Sequence, residues 1–275
     1  MGWLASNPAK RWTEVFFLTY SVFWITWALC LLVPLQLYEY CGNYGYLAIG
    51  LSAALPCFLL PLFIQPKSEA SKPFLQRYWV KANIWIAIFS YVGNYFWTHY
   101  FFRLLGASYT FVSWRLNDVP ITLYFMTHAY FCFYHALSNV MLRRTSTALA
   151  KAPTFVRRFA MGVVVFGLSY ATAYGETLTI AHFPYYSFID KERMYTIGSL
   201  FYAIYFFVSF PLFYIMDEDP KVKKWTAWQA AVDSLAASML VTILLDLWRI
   251  SYGGIIKEGV GSGASASASS GLPWM

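Results

Sequence analysis

Residues 78–114 read YWVKANIWIAIFSYVGNYFWTHYFFRLLGASYTFVSW. Up to Leu105 this run is almost wholly apolar and aromatic, long enough to cross a bilayer as a helix. Yet Asn83, Ser90, Asn94, Thr98 and His99 sit inside it. At about 100° per residue the first four fall within about 60° of one another, so they share one side of the helix. Polar groups at membrane depth are costly unless they face protein or a cavity. The stretch therefore predicts a membrane helix with one lipid side and one functional side.

The rest of the chain has the same character. Of 275 residues, 59% are hydrophobic and 12% charged, with 24 Phe, 22 Tyr and 12 Trp. A soluble domain carries about twice that charge fraction. The composition predicts an all-α polytopic membrane protein, one domain over residues 1–257, followed by a Gly/Ser/Ala-rich flexible tail at 258–275. Seven spans are expected: Val15–Leu37, Tyr44–Gln65, the stretch quoted above, Val119–Leu142, Phe159–Phe183, Tyr195–Met216 and Ala231–Tyr252. Lys10 and Arg11 precede a first run too long for a cleaved signal, so it reads as an uncleaved span.

The net charge of +7 does not point to nucleic acid, because the basic residues fall in short loops between apolar runs. With the N-terminus cytoplasmic, most of them, including Lys10, Arg11, Arg143, Arg144, Arg157 and Arg158, lie on the cytoplasmic side. The aromatic segment Pro184–Met194 suits a lid at headgroup level. Cys30, Cys41, Cys57 and Cys132 read as small buried hydrophobes, and no spacing suggests a metal site.

From this topology, Glu176, His128, Asp246, His99 and Asn94 lie about 7 to 15 Å from the non-cytoplasmic ends of four spans, at 1.5 Å per residue. Each has a functional and a plain reading. Glu176, with no cation within a helical turn, is a functional candidate by default, or else hydrogen-bonds another helix. Asp246 stands three residues before Arg249, the spacing of an intrahelical ion pair. His128, His135 and Asn139 share one stripe with Tyr124 a turn earlier, as a site or as interhelical hydrogen bonds. Asp118 reads as a helix N-cap, Asp233 as capping or solvated, and His182 as interfacial.

NPAKRW at the N-terminus, RYWVKANIWIAIFSYVGNYFWTHYFFRLLGASYTFVSW, FYHALSN, AYGETLTIAHFPYYSFID, LFYAIYFFVSFPLFYIMDE, VDSLAASMLVTILLDLWR and the closing SGLPW resemble the cycloeucalenol cycloisomerase (cyclopropyl sterol isomerase) family from Asn7 to Arg249. The sequence departs from the family in span 1, Lys67–Phe74, Thr145–Val165 and the tail before Gly271. The resemblance implies a redox-neutral opening of 9β,19-cyclopropyl sterols, cycloeucalenol to obtusifoliol, in the endoplasmic-reticulum membrane. No hydride moves, so no cofactor is implied, and no nicotinamide, flavin or haem fingerprint is present. The partners it implies are a sterol substrate and the lipid bilayer.

A strained C–C bond is a poor base and needs a strong acid, and a carboxyl held away from water stays protonated and ready to donate. On that reading Glu176 protonates C19, and His128 or Asp246 accepts the C8 proton. Asn94 and His99 orient them or hold the 3-hydroxyl, with His135 and Asn139 as further substrate-binding candidates. Tyr91, Tyr95, Trp97 and Tyr174 offer ring faces to the cation at C9. Two rivals remain open: an emopamil-binding-type Δ8-Δ7 isomerase, told apart by turnover of a Δ8 sterol, and a non-enzymatic sterol carrier, which would bind without changing its ligand.

Overall fold

The computed structural model describes residues 2–180 and 183–255; His182 and the Gly/Ser/Ala tail lie outside them. The main elements are α1 (Pro8–Trp27), α2 (Asn43–Ile64), α3 (Tyr78–Val92), α4 (Thr98–Leu105), α5 (Ile121–Ala148), α6 (Thr154–Ile180), α7 (Ser199–Ile215) and α8 (Ala227–Tyr252). Pro8 opens α1 after Asn7, whose side chain accepts the Ala9 N–H, and Thr226 with Gln229 closes a reciprocal cap on α8. Five helical stretches are long and apolar enough to cross a membrane: Pro8–Leu32, Asn43–Ile64, Thr154–Ile180, Lys191–Ile215 and Ala227–Tyr252. This is a multi-pass membrane protein.

The stretch that opened the sequence reading is not one helix. It runs as α3, then as a π-helical turn at Gly93–Trp97, then as α4, which ends where Gly106 adopts φ +58°. A Cβ at Gly106 would also meet Ile189 Cδ1 at 2.3 Å, so glycine is required there twice over. Beyond it the chain forms β1 (Ser108–Tyr109), β2 (Arg115–Leu116) and β3 (Val119–Pro120) before α5. β1 pairs antiparallel with β4 (Tyr186–Ser187), so the segment expected to be a lid is partly a strand.

α5 is the hub, with α1, α2, α3, α6 and α7 packed around it, while α8 packs on α3 and α7. Trp85, Phe89, Trp97, Phe131, Phe206 and Phe210 fill the core between them. Indole N–H groups tie it to α8: Trp85 donates to Asp233 Oδ1 at 2.7 Å and Trp97 to Thr242 Oγ1 at 2.8 Å.

Three sequence expectations are corrected. Asp118 does not cap α5; with Asn117 it forms the two-residue turn between β2 and β3, both at positive φ, a conformation Asn and Asp tolerate better than most residues. Asp233 is neither a cap nor solvated, because it holds the Trp85 indole. Of the cysteines, Cys57 and Cys132 are buried, but Cys30 faces outward and Cys41 is half-exposed.

Candidate functional site

Polar side chains gather at the two ends of the bundle. At the end holding the start of α1 and the C-termini of α5 and α7, Arg143 grips Glu14 (2.8 and 2.9 Å) and Glu218 (2.6 and 2.8 Å). Asn139 adds a hydrogen bond to Glu14 at 2.9 Å. Lys10 lies 2.9 Å from Glu218 and donates to the carbonyls of Tyr214 (2.6 Å) and Met216 (2.8 Å). Lys81 pairs with Asp217. Burial alone would push the Glu218 carboxyl up; the Arg143 hydrogen bonds and Lys10 outweigh it and hold it below its ordinary value. Every ionised group in this cluster meets an opposite charge, which is what makes burial tolerable.

At the other end lies a cavity of about 260 Å³. Its walls come from the π turn after α1 (Ala28, Leu29, Leu32), Tyr46 and Ile49 of α2, and Asn94 and Thr98 on either side of the break between α3 and α4. α5 contributes Thr122, Met126, Thr127, Tyr130 and Phe131, α6 Glu176 and Thr177, and α7 Tyr202 and Tyr205. Tyr109 and Tyr186, stacked across the β1–β4 pair with centroids 4.3 Å apart, and Phe111 and Phe183 complete it. At the rim, Tyr185 donates its hydroxyl to Glu39, joining the turn before α2 to the β4 segment. An apolar, aromatic hollow with few polar groups is what a membrane-borne, mostly hydrocarbon ligand needs.

Three π turns border this cavity, at Ala28–Leu32, Gly93–Trp97 and Met194–Gly198, each giving it at least one lining residue. Such turns insert an extra residue in a helix and are frequent at functional sites.

Glu176 is half-buried on α6, and its Oε2 is buried with no hydrogen-bond partner. Tyr202 and Tyr134 bring their hydroxyls to the same carboxyl. A protonated acid aimed into an aromatic hollow, with phenols as its polar company, can act as a proton donor.

Of the other residues singled out in the sequence, the structure brings Asn94 to the cavity and leaves the rest elsewhere. His128 donates from Nε2 to Asn83 Oδ1 at 2.9 Å and stacks on Phe58. His135 donates from Nδ1 to the Phe131 carbonyl at 2.8 Å, leaving Nε2 to accept from Ser209 at 3.0 Å. Asn139 belongs to the ion cluster. His99 donates to the Asn117 carbonyl at 3.0 Å. Asp246 is held by Arg249 (2.7 Å) and Tyr100 (3.2 Å). Trp97 lies in the core, and Tyr91, Tyr95 and Tyr174 stack with other tyrosines outside the cavity. The reason is angular: on α5 the cavity takes Leu123, Met126, Thr127 and Tyr130, and the His128 stripe sits one residue, about 100°, further round.

Sequence reasoning missed Tyr134 and Tyr202, and nothing separates them from the other tyrosines by pattern. It also missed Glu14, for which a signal existed: a lone acid inside an apolar span calls for a partner.

Compared with known proteins, the chain is 51% identical over 272 residues to a curated cycloeucalenol cycloisomerase of Arabidopsis thaliana, covering 99% of this chain and 96% of that one. The chain belongs to the cycloeucalenol cycloisomerase family. As a member of it, the protein is an isomerase. No family model and no solved structure matches the chain. The family's chemistry has therefore to be argued from the cavity of this structure.

Proposed function

We infer that the protein opens the cyclopropane ring of 9β,19-cyclopropyl sterols, converting cycloeucalenol to obtusifoliol in the endoplasmic-reticulum membrane. In this reading the chain crosses the bilayer seven times, with α3 and α4 together making one crossing and the N-terminus in the cytoplasm. The ion cluster then lies toward the cytoplasmic face, where most basic loops fall, and the cavity toward the opposite leaflet.

One observation carries the proposal: an acid with an unpartnered, buried oxygen borders a hollow walled by tyrosine and phenylalanine rings. Protonation at C19 breaks the C9–C19 bond and leaves a cation at C9, and loss of the C8 proton gives the 8,9-alkene. Glu176 supplies the proton. Ring faces such as those of Tyr130, Phe131, Tyr202 and Tyr205 stabilise the cation, each by up to about 2 kcal/mol when desolvated. Asn94 and the threonines of α5 and α4 offer hydrogen bonds to the sterol hydroxyl.

The test is Glu176→Gln in microsomes or in a sterol-auxotroph complementation, with sterols resolved by gas chromatography. Conversion should fall about 10²- to 10⁴-fold, the range for loss of a general acid. Turnover at the wild-type rate would remove Glu176 from the mechanism.

A further inference from the structure

The reaction needs a proton given at C19 and another taken at C8, and the sequence offered separate residues for the two tasks. The cavity does not. Among the described residues that line it, Glu176 is the only Asp, Glu or His. The expected acceptors are committed elsewhere: His128 to Asn83, and Asp246 to Arg249 and Tyr100. We propose that Glu176 performs both transfers, giving its proton to C19 and then, as the carboxylate, taking the proton from C8.

This rests on Glu176 being the donor and extends it. C8 and C19 are both bonded to C9, so a carboxyl seated against C19 is already beside C8. The electron pair of the C9–C19 bond takes the carboxyl proton and C19 becomes a methyl group. The C8–H pair then forms the C8=C9 bond, and its proton returns to the carboxylate. Substrate and product have the same formula, and the enzyme ends as it began, with no net exchange of protons.

The surroundings of Glu176 suit a carboxylate that exists only between the two steps. The titratable groups facing it are phenols: Tyr130 and Tyr134 from α5, Tyr202 and Tyr205 from α7, and Tyr109 and Tyr186 from the strand pair. There is no lysine or arginine among them to trap it as a permanent anion. Tyr202 and Tyr134 reach the carboxyl itself. Their O–H groups donate to the transient carboxylate and steady it, which makes them positioning residues.

The rate of cycloeucalenol conversion by the full-length enzyme, measured from acid to neutral pH alongside a thermal-unfolding control, separates one group from two. A single carboxyl starts each cycle protonated, so the rate should stay level on the acid side for as long as the protein remains folded. A separate base would have to be unprotonated and would give an acid-side fall. Such a fall in folded enzyme, with Glu176→Gln inactive, overturns the return step and leaves the donor role standing. His182, outside the described residues, is the sequence neighbour to exclude: His182→Gln should turn over at the wild-type rate, and a loss matching that of Glu176→Gln overturns the proposal. Tyr202→Phe should lower kcat about 10- to 100-fold, as expected for a hydrogen bond to a charged group, with KM near wild type. A Tyr202→Phe enzyme that changes KM alone overturns its positioning role.

Discussion

At one end of the bundle Lys10, Glu14, Lys81, Arg143, Asp217 and Glu218 are buried or nearly so, and all of them are paired. At the other end a single carboxyl, Glu176, meets phenols and leaves one oxygen without a partner. The first arrangement fixes helices: it links the start of α1 to α5 and to the end of α7, and α3 to the turn after α7. The second leaves capacity unspent. A buried polar atom with no partner is expensive, and a protein keeps one where a ligand or a reaction uses it. Charge that is fully answered holds structure, and charge that is left unanswered is available for chemistry.

That contrast can be broken by exchanging the expected phenotypes. The largest stability effect belongs to Arg143→Met, which strands Glu14 among apolar neighbours. Removing one partner of a buried pair costs about 3–5 kcal/mol. Thermal unfolding in detergent should show a drop of that size, while conversion per folded molecule stays near wild type. If instead conversion collapsed at unchanged stability, the ion cluster would belong to the site.

His128→Leu comes next. It leaves Asn83 Oδ1 unsatisfied in the core, a loss of about 1–3 kcal/mol, and should again spare turnover of the folded fraction. A purely catalytic loss would return His128 to the reaction.

The smallest effect concerns pH. Glu218 is held below its ordinary value in the folded state, so its contribution to stability is present above the unfolded pKa, about 4.3, and is lost as pH falls through the folded one. The melting temperature should therefore decline on the acid side, and Glu218→Gln should lower it at neutral pH while flattening that decline.

Much of the fold was legible in the sequence because long apolar runs leave few alternatives, and the expected ends of the helices fall within a few residues of the observed ones outside α1, α4 and α5. Glu176 was legible for the same reason: an acid in an apolar run stands out. Partners were not. Glu14 and Arg143 are 129 residues apart, Lys81 and Asp217 136, and periodicity on one helix says nothing about which neighbour its polar stripe will meet. Arg143 read as a loop cation because α5 was expected to end at Leu142, whereas the helix runs on to Ala148. The His128 stripe was read correctly as a stripe and assigned to the wrong neighbour, since only the packing of α3 and α7 on α5 decides which side faces the hollow.

The π turn at Gly93–Trp97 has a consequence for how this wall could change. An inserted residue sets the phase of everything that follows it in a helix. Deleting one residue there would restore ordinary winding and swing Thr98 to Leu105 by about 100° relative to α3, carrying Thr98 and Phe101 off the hollow and presenting a different set of side chains. Which groups the substrate meets along that wall is thus governed by a single unit of chain length, without any substitution.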